Sequence, residues 1–143
     1  MNRTGFTLIE LLIVVVIIGL LAAIAIPKFS NTKEKAYIAS MKADLRNLVT
    51  AEEAYFADSL VYTDQLDCNN PPAPGTVPWC PSTGNAMDQF RLGNNNGNNN
   101  KGGWSARVIN ANTAVSCAIY VGGIPNPVQP VKQSDPDGVP FCQ

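Results

Sequence analysis

The first 27 residues of the chain form one nearly unbroken apolar segment. It reads MNRTGFTLIELLIVVVIIGLLAAIAIP, and between positions 8 and 26 only Glu10 carries a charge. Nineteen residues in a helix rise about 28 Å at about 1.5 Å per residue, which is enough to cross the hydrocarbon core of a bilayer. Carboxylates within such segments are rare, costly and usually functional. Glu10 therefore indicates a function beyond membrane anchoring.

Two simpler interpretations of this segment are less favoured. A secretory signal peptide has a basic start, an apolar stretch of about 7 to 15 residues and a small-residue cleavage site, for which residues 23–25 would serve. The apolar stretch here is longer, contains Glu10 and continues past Pro27 into a charged helical pattern. A plain anchor would leave the glutamate without a purpose.

Residues 5–10, GFTLIE, followed by the apolar run with Gly19 and by Pro27, resemble the type III signal of type IV pilins. The resemblance continues more weakly through residues 44–48 and 55–58, which are similar to pilins of the short-leader bacterial type. Beyond about residue 62 the sequence stands alone. In this family a membrane aspartic peptidase removes a short leader after the glycine, and the new N-terminal residue is N-methylated.

The resemblance implies a leader of residues 1–5, cleavage between Gly5 and Phe6, and methylation of Phe6. The new α-amino group would have a reference pKa near 8, so it would be mostly cationic at neutral pH. This cation and Glu10 would then share one apolar core. Either charge alone is costly there, whereas a pair formed between neighbouring subunits offsets the cost and fixes the axial register.

The expected fold is α+β, with one long N-terminal helix packed on a small antiparallel sheet in a loop-rich, disulfide-bonded head. Residues 6–27 form the transmembrane and filament-core helix, and residues 28–58 continue it as an amphipathic helix. Steps of three and four predict an apolar stripe, with the charged residues Lys42, Arg46, Glu52 and Glu53 largely outside it. The stripe comprises Tyr37, Met41, Leu45, Leu48, Ala51 and Tyr55.

Gly19 and Pro27 are the expected weak points of the long helix. Glycine disfavours a helix interior, and proline removes a donor and restricts the residue before it. We expect both residues to bend or loosen the helix, with loss of regular helix between them once subunits pack and shield the loosened backbone.

Residues 59–143 form the predicted globular head. Five prolines and a glycine-rich stretch predict a long irregular connection over residues 62–103, with residues 94–100 as an exposed low-complexity loop. Residues 104–108 alternate, a turn signal follows at 110–112, and residues 114–121 form a second apolar run, which together predict an antiparallel hairpin. A hairpin is marginal alone, so it should pack on the helical stripe with a further strand near residues 139–142.

The chain contains four cysteines and no histidine. A zinc site would need all four thiolates at unfamiliar spacings, so disulfides are favoured. Three pairings are possible, and we favour Cys68 with Cys80 and Cys117 with Cys142. Disulfides indicate an oxidising, extracytoplasmic compartment for the head. Four lysines that follow the apolar segment argue for the opposite orientation under the positive-inside rule, but the cysteines and the resemblance favour export.

Several function classes are disfavoured by composition. Without histidine there is no common catalytic triad or metal centre, and no glycine-rich phosphate loop follows a predicted strand, so we expect neither enzyme activity nor a cofactor. A net charge of −1 does not favour nucleic-acid binding. Residues 135–138, DPDG, begin like a calcium loop but lack its other ligands, so a turn is expected.

The sequence therefore favours a structural subunit of a type IV pilus-like filament, with a role in adhesion or motility. Such a subunit would be a single-pass membrane precursor and then part of an extracellular pilus. The resemblance implies a prepilin peptidase and methyltransferase, an inner-membrane assembly platform and further copies of the chain as partners. One alternative is the major pseudopilin of a type II secretion system, whose head typically binds calcium and does not rely on paired cysteines. Another is a membrane-anchored extracytoplasmic binding module.

Overall fold

The structure, a computed structural model, describes residues 5–93 and 102–143. The chain divides into two compact units, Met1–Lys35 and Ala36–Gln143. One helix and six strands were assigned in the described residues, and the predicted α+β class is confirmed. The elements are α1 Leu8–Ser59, β1 Leu66–Asp67, β2 Val77–Pro78, β3 Asn85–Leu92, β4 Gly103–Asn110, β5 Ser116–Gly122 and β6 Phe141–Cys142.

In the first unit, α1 begins at Leu8 and continues without interruption through Gly19 and Pro27. The stretch between these two residues is therefore helical in the single chain, and the bend expected at them stays a prediction. A proline removes only one intrahelical hydrogen bond, and a side chain added at Gly19 would meet no atom within 4 Å. The loss of helix on subunit packing stays a prediction.

In the second unit, α1 supplies the predicted apolar stripe to the core. Met41, Leu45 and Leu48 are fully buried, and Ala51 and Tyr55 pack at the edge of the same core. The sheet contributes Trp104, Ala106, Val108 and Ile119 to this cluster. The apolar stripe of the helix and one face of the hairpin thus pack against each other, as the periodicity of each element predicts.

One residue that was predicted to lie on the polar side of the helix is buried instead. Glu52 was expected outside the stripe, but its side chain is fully buried and accepts a hydrogen bond from the backbone N–H of Thr63 at 3.5 Å. Glu52 lies four residues after Leu48, and positions four apart share a helix face. The prediction was wrong because it followed the polarity of the residue and not its position.

The four-stranded sheet is antiparallel with the order β3-β4-β5-β6. The predicted hairpin corresponds to β4 and β5, in which Trp104 pairs with Val121 and Val108 with Cys117. The predicted additional strand corresponds to β6, which pairs with β5 through Cys142 and Cys117. These three strands agree with the sequence-based expectation.

Strand β3 was missed, because residues 62–103 were predicted to be irregular. It pairs with β4 along its length, with a bulge between Met87 and Gln89. The bulge shifts the alternation, so the partly buried residues are Met87, Phe90 and Leu92 at spacings of three and then two. A second, two-stranded parallel sheet joins β1 to β2 in the same region. The loop predicted at residues 94–100 lies outside the described residues.

Both favoured disulfides are present in the second unit. Cys68 is bonded to Cys80 across the proline-rich segment, and Cys117 is bonded to Cys142 between β5 and β6. The first closes a separation of 12 residues and the second a separation of 25. Cross-links that close such loops stabilise a small domain by restricting its unfolded chain.

Candidate functional site

The predicted cleavage site lies just ahead of α1. Gly5, Phe6 and Thr7 have no regular secondary structure, and a side chain added at Gly5 would meet no atom within 4 Å. The Phe6 side chain is 91% exposed. Exposed, non-helical backbone of this kind is the usual substrate of proteases. The geometry is therefore compatible with cleavage between Gly5 and Phe6.

Glu10 forms a reciprocal capping box with Thr7 at the start of α1. The backbone N–H and the hydroxyl of Thr7 both donate to Oε2 of Glu10, at 2.8 and 2.7 Å. In return the backbone N–H of Glu10 donates to Oγ1 of Thr7 at 3.3 Å. This is the T-x-x-E pattern that satisfies free N–H groups at helix N-termini. The pattern was present in the sequence but was not used in the prediction.

The capping box leaves Glu10 able to bind an additional donor. Both hydrogen bonds from Thr7 end on Oε2, whereas an ionised carboxylate offers about four acceptor positions on its two oxygens. The cap therefore holds the Glu10 side chain at the helix start while a further cation can approach it. The structure describes a single chain, so the pairing of Glu10 with a neighbouring Phe6 amine stays a prediction.

The surface of α1 between residues 11 and 26 is apolar all round. The large apolar side chains of residues 8–29 are between 50% and 83% exposed. No described side chain of residues 5–35 is buried. Within the described residues α1 is the one helix long and apolar enough to cross a membrane by length and composition. A helix that is apolar on every side requires lipid or other helices around it.

A second constellation, which the sequence analysis missed, centres on the buried Asp44 of α1. Its carboxylate accepts bonds from the backbone N–H of Ser82 at 2.9 Å, the Ser82 hydroxyl at 2.6 Å and the Asn85 amide at 2.6 Å. The Asn110 amide donates to Asn85 in turn at 2.7 Å, and the Trp79 indole donates to the Asp44 carbonyl at 3.0 Å. This network ties the helix to the loop after Cys80 and to β3 and β4.

The position of Asp44 could have been found from the sequence. It lies three residues after Met41 and four before Leu48, so it shares the face of the apolar stripe. A buried carboxylate requires several donors, and serine and asparagine in the following segment are suitable partners. The network acts as a structural link, since the Asp44 carboxylate is occupied by donors from Ser82 and Asn85.

The phenol of Tyr62, which follows α1, faces an acid of that helix. The Tyr62 hydroxyl donates to Oε1 of Glu53 at 2.8 Å, and the Tyr62 ring stacks on Phe56 with the centroids 4.6 Å apart. Burial, together with this hydrogen bond, raises the pKa of Tyr62 well above its usual value. Tyr62 therefore stays protonated at physiological pH and acts as a packing residue.

The DPDG turn is occupied by internal bonds. The backbone N–H of Gly122 donates to the Asp137 carboxylate at 3.1 Å, and that of Lys132 donates to Asp135 at 2.8 Å. Among the residues that the structure describes, no group of three or more acidic, histidine or cysteine side chains is placed to hold a metal ion.

Part of the chain is similar to known proteins. Residues 1–26 match the family model described as the prokaryotic N-terminal methylation motif. The chain is 49% identical over 63 residues to the type IV major pilin protein PilA of Myxococcus xanthus, which covers 44% of this chain and 28% of that protein. It is also 44% identical over 62 residues to the type IV wide pilus major component PilA4 of Thermus thermophilus, covering 43% of this chain and 47% of that protein.

The chain is similar to a secretion protein as well. It is 37% identical over 61 residues to the type II secretion system core protein G of Pseudomonas aeruginosa, covering 43% of each protein. The N-terminal segment thus carries the prokaryotic N-terminal methylation motif. More particularly, the resemblance to type IV pilins, with pseudopilins as close relatives, is confirmed. The similarity spans less than half the length of each of these relatives.

Proposed function

We propose that the chain is a structural subunit of a type IV pilus-like extracellular filament. The observation that carries this proposal is the all-round apolar surface of α1 over residues 11–26, together with Glu10 at its start. A membrane span alone accounts for the apolar surface but not for a carboxylate placed beside a cleavage site. A filament core of packed helices accounts for both, because it buries the apolar surface and supplies a counter-charge.

In this proposal Glu10 pairs with the amine of Phe6 from a neighbouring copy of the chain. The capping box with Thr7 fixes the carboxylate at the first turn and leaves acceptor positions for the amine. Each subunit then contributes one cation and one anion to the core. Because neither charge is stable there alone, only the axial position that brings them together allows stable packing.

The route to the filament follows from the same motif. A prepilin peptidase would remove residues 1–5 and methylate Phe6 while the single-pass precursor is held in the membrane by α1. An inner-membrane assembly platform would then pass the subunit to the filament, where the disulfide-bonded unit lies outside the cell. Adhesion or motility is the corresponding role of the assembled filament. No enzyme activity is proposed for the chain.

Intact-mass measurement on purified surface filaments tests the processing. The expected mass is that of residues 6–143 with one added methyl group and with four hydrogens fewer, because two disulfides form. In membrane fractions Gly5→Leu should leave the chain unprocessed, and Gly19→Leu, the same exchange within the apolar segment, serves as the control for effects of added bulk on processing. Mature protein that retains Met1, or that begins after Ala25, would contradict the proposal.

The major pseudopilin of a type II secretion system is the second candidate, favoured by the similarity to core protein G. The two disulfides of the second unit favour the pilus, because paired cysteines are not typical of the pseudopilin head. Deleting the gene distinguishes the candidates. Loss of surface filaments with normal protein secretion supports the pilus, whereas loss of secretion with no change in filaments supports the pseudopilin.

A further inference from the structure

A cavity of about 460 Å³ opens on the second unit, on the face of the sheet that points away from α1. Arg107 of β4 lines it, and the residues on either side of Arg107, Ala106 and Val108, belong to the core beneath the sheet. Successive strand residues point to opposite faces, so Arg107 points outward. Gln89, which pairs with Arg107, and Arg91 two residues along β3 share this outward face and also line the cavity.

The opposite wall of the cavity is the segment of residues 126–133. It is fixed from below by Val128 and Val131, which are buried in a small cluster with Tyr120. The backbone N–H of Val128 donates to the buried Ser105 hydroxyl at 3.1 Å, and the Tyr120 hydroxyl lies within hydrogen-bond distance of the carbonyls of Gln133 and Asp135. These contacts form the cavity before any ligand arrives, which lowers the entropic cost of binding.

The described lining is basic and rich in carboxamides. Arg91, Arg107 and Lys132 contribute three positive charges, and no carboxylate belongs to the described lining residues. Asp88, beside the cavity, forms an ion pair with Arg107 and so offsets one of these charges. Arg91 and Lys132 therefore provide the excess positive charge of the cavity.

Four carboxamide side chains complete the polar lining, among them Gln89, Gln129 and Gln133. A carboxamide both donates and accepts hydrogen bonds, which matches the donor and acceptor character of a hydroxyl group. The volume lies within the range of small-molecule sites, but the lining is far more polar than that of a typical apolar ligand pocket. The ligand it matches is therefore a small anion with many hydroxyl groups.

We propose that this cavity binds an acidic saccharide, whose carboxylate is held by Arg91 and Lys132 and whose hydroxyl groups are held by the carboxamides. The planar guanidinium of Arg91 can donate two parallel hydrogen bonds to a carboxylate. Carboxylate is preferred here over phosphate polyesters because the cavity is closed at one side by the wall of residues 126–133 and not open as a charged track. This binding does not depend on filament assembly.

Titration of the full chain in detergent micelles with trigalacturonate, followed by calorimetry, tests the site. Maltotriose is the neutral ligand control of matched size. Arg91→Gln should weaken binding of trigalacturonate about tenfold, because a charge-assisted contact is lost. Arg46→Gln is the matched protein control, since Arg46 is also exposed in the second unit, loses the same charge and does not line the cavity.

Selective binding of trigalacturonate, weakened by Arg91→Gln and not by Arg46→Gln, supports the proposal, and circular dichroism of both variants verifies their fold. Equal binding of maltotriose would overturn it, as would equal weakening by both exchanges, which indicates nonspecific attraction. Inorganic phosphate or a short single-stranded oligonucleotide that binds more tightly with the same dependence on Arg91 would show that the ligand class is wrong. Absence of heat at two temperatures with trigalacturonate at about 10 mM, a concentration that nearly saturates a site of millimolar affinity, would also overturn it.

Discussion

The two compact units of the chain differ in whether their apolar side chains are buried. In residues 5–35 no described side chain is buried, although nearly every residue from Leu8 to Ile26 is apolar. In residues 36–143 one apolar face of α1 is buried against the sheet, and polar groups such as Asp44 are enclosed with partners. One helix passes through both units, so the difference lies in what surrounds it. The second unit is stabilised within the chain, and the first requires other molecules.

The largest effect within the chain is expected from the disulfides, which only the second unit contains. Replacing Cys117 and Cys142 together by serine should lower the free energy of unfolding by about 3 to 4 kcal/mol, because the closed loop is long. Replacing Cys68 and Cys80 should cost somewhat less, about 3 kcal/mol, because that loop is shorter. Urea unfolding in detergent, followed by tryptophan fluorescence, measures both.

Membrane-fraction abundance is the matching readout for the first unit. It should be unchanged in both cysteine variants if the two units are stabilised separately. An unaltered urea midpoint in either variant would contradict the role given to that disulfide.

A smaller loss of stability is expected from the buried polar network. Asp44→Ala removes the acceptor of three hydrogen bonds and should lower the free energy of unfolding by about 1.5 to 3 kcal/mol. Asp58→Ala, the same exchange at an exposed position of the same helix, should change it by no more than about 0.5 kcal/mol. Urea unfolding again provides the measurement, and equal effects of both exchanges would show that the network does not stabilise the unit.

In the first unit the strongest local interaction is the capping box. Thr7→Val removes the two hydrogen bonds of the Thr7 hydroxyl and should speed amide hydrogen exchange of residues 8–11 about fivefold in micelles, as expected for a cap worth about 1 kcal/mol. Thr32→Val, the same exchange in the middle of α1, should leave these amides unchanged, because the Thr32 hydroxyl bonds only to the carbonyl of Lys28. Unchanged exchange in Thr7→Val would show that the cap does not hold the first turn.

The smallest effect is expected in how the stability of the second unit declines at acidic pH. The backbone N–H groups of Ala73 and Asn69 donate to the Asp67 carboxylate and hold its pKa below the usual value. A lowered pKa in the folded state adds stability above the unfolded-state pKa of about 3.9, and this stability is lost as the pH falls through the folded-state value. Asp67→Asn should therefore flatten the decline of the unfolding midpoint below about pH 4.

Asp64→Asn, at a nearby exposed position, is the control for this profile. The contribution of Asp67 would be refuted if both variants declined with acid as steeply as the parent chain.

Prediction from the sequence succeeded where a single periodicity governs an element. The stripe from Met41 to Leu48 and the alternation of β4 each bury one face, so their patterns identify both the element and its orientation. It failed at β3, where the bulge after Met87 breaks the alternation. It failed again at Glu52, because the prediction followed the charge of the residue although its position four residues after Leu48 places it on the buried face, where it accepts a hydrogen bond from Thr63.

At the candidate site, the motif of residues 5–10 identified the region but not its internal bonds. The capping box follows from the spacing of Thr7 and Glu10, so it was accessible to sequence reasoning. The cavity beside Arg91 was not, because it requires the pairing of β3 with β4 and the course of a loop about 35 residues later in the chain. Long-range pairings of this kind leave no local pattern.

The central claim is that the first unit assembles filaments through Glu10 and does not merely anchor the chain. Glu10→Ala, Glu10→Gln and the control Glu34→Ala should be compared by filament yield relative to membrane-fraction abundance. We expect Glu10→Ala to reach the membrane at least as well as the parent chain but to form no filaments, because the neighbouring amine loses its counter-charge. Glu10→Gln should be intermediate and Glu34→Ala normal. A normal filament yield from a stable Glu10→Ala subunit would contradict the claim.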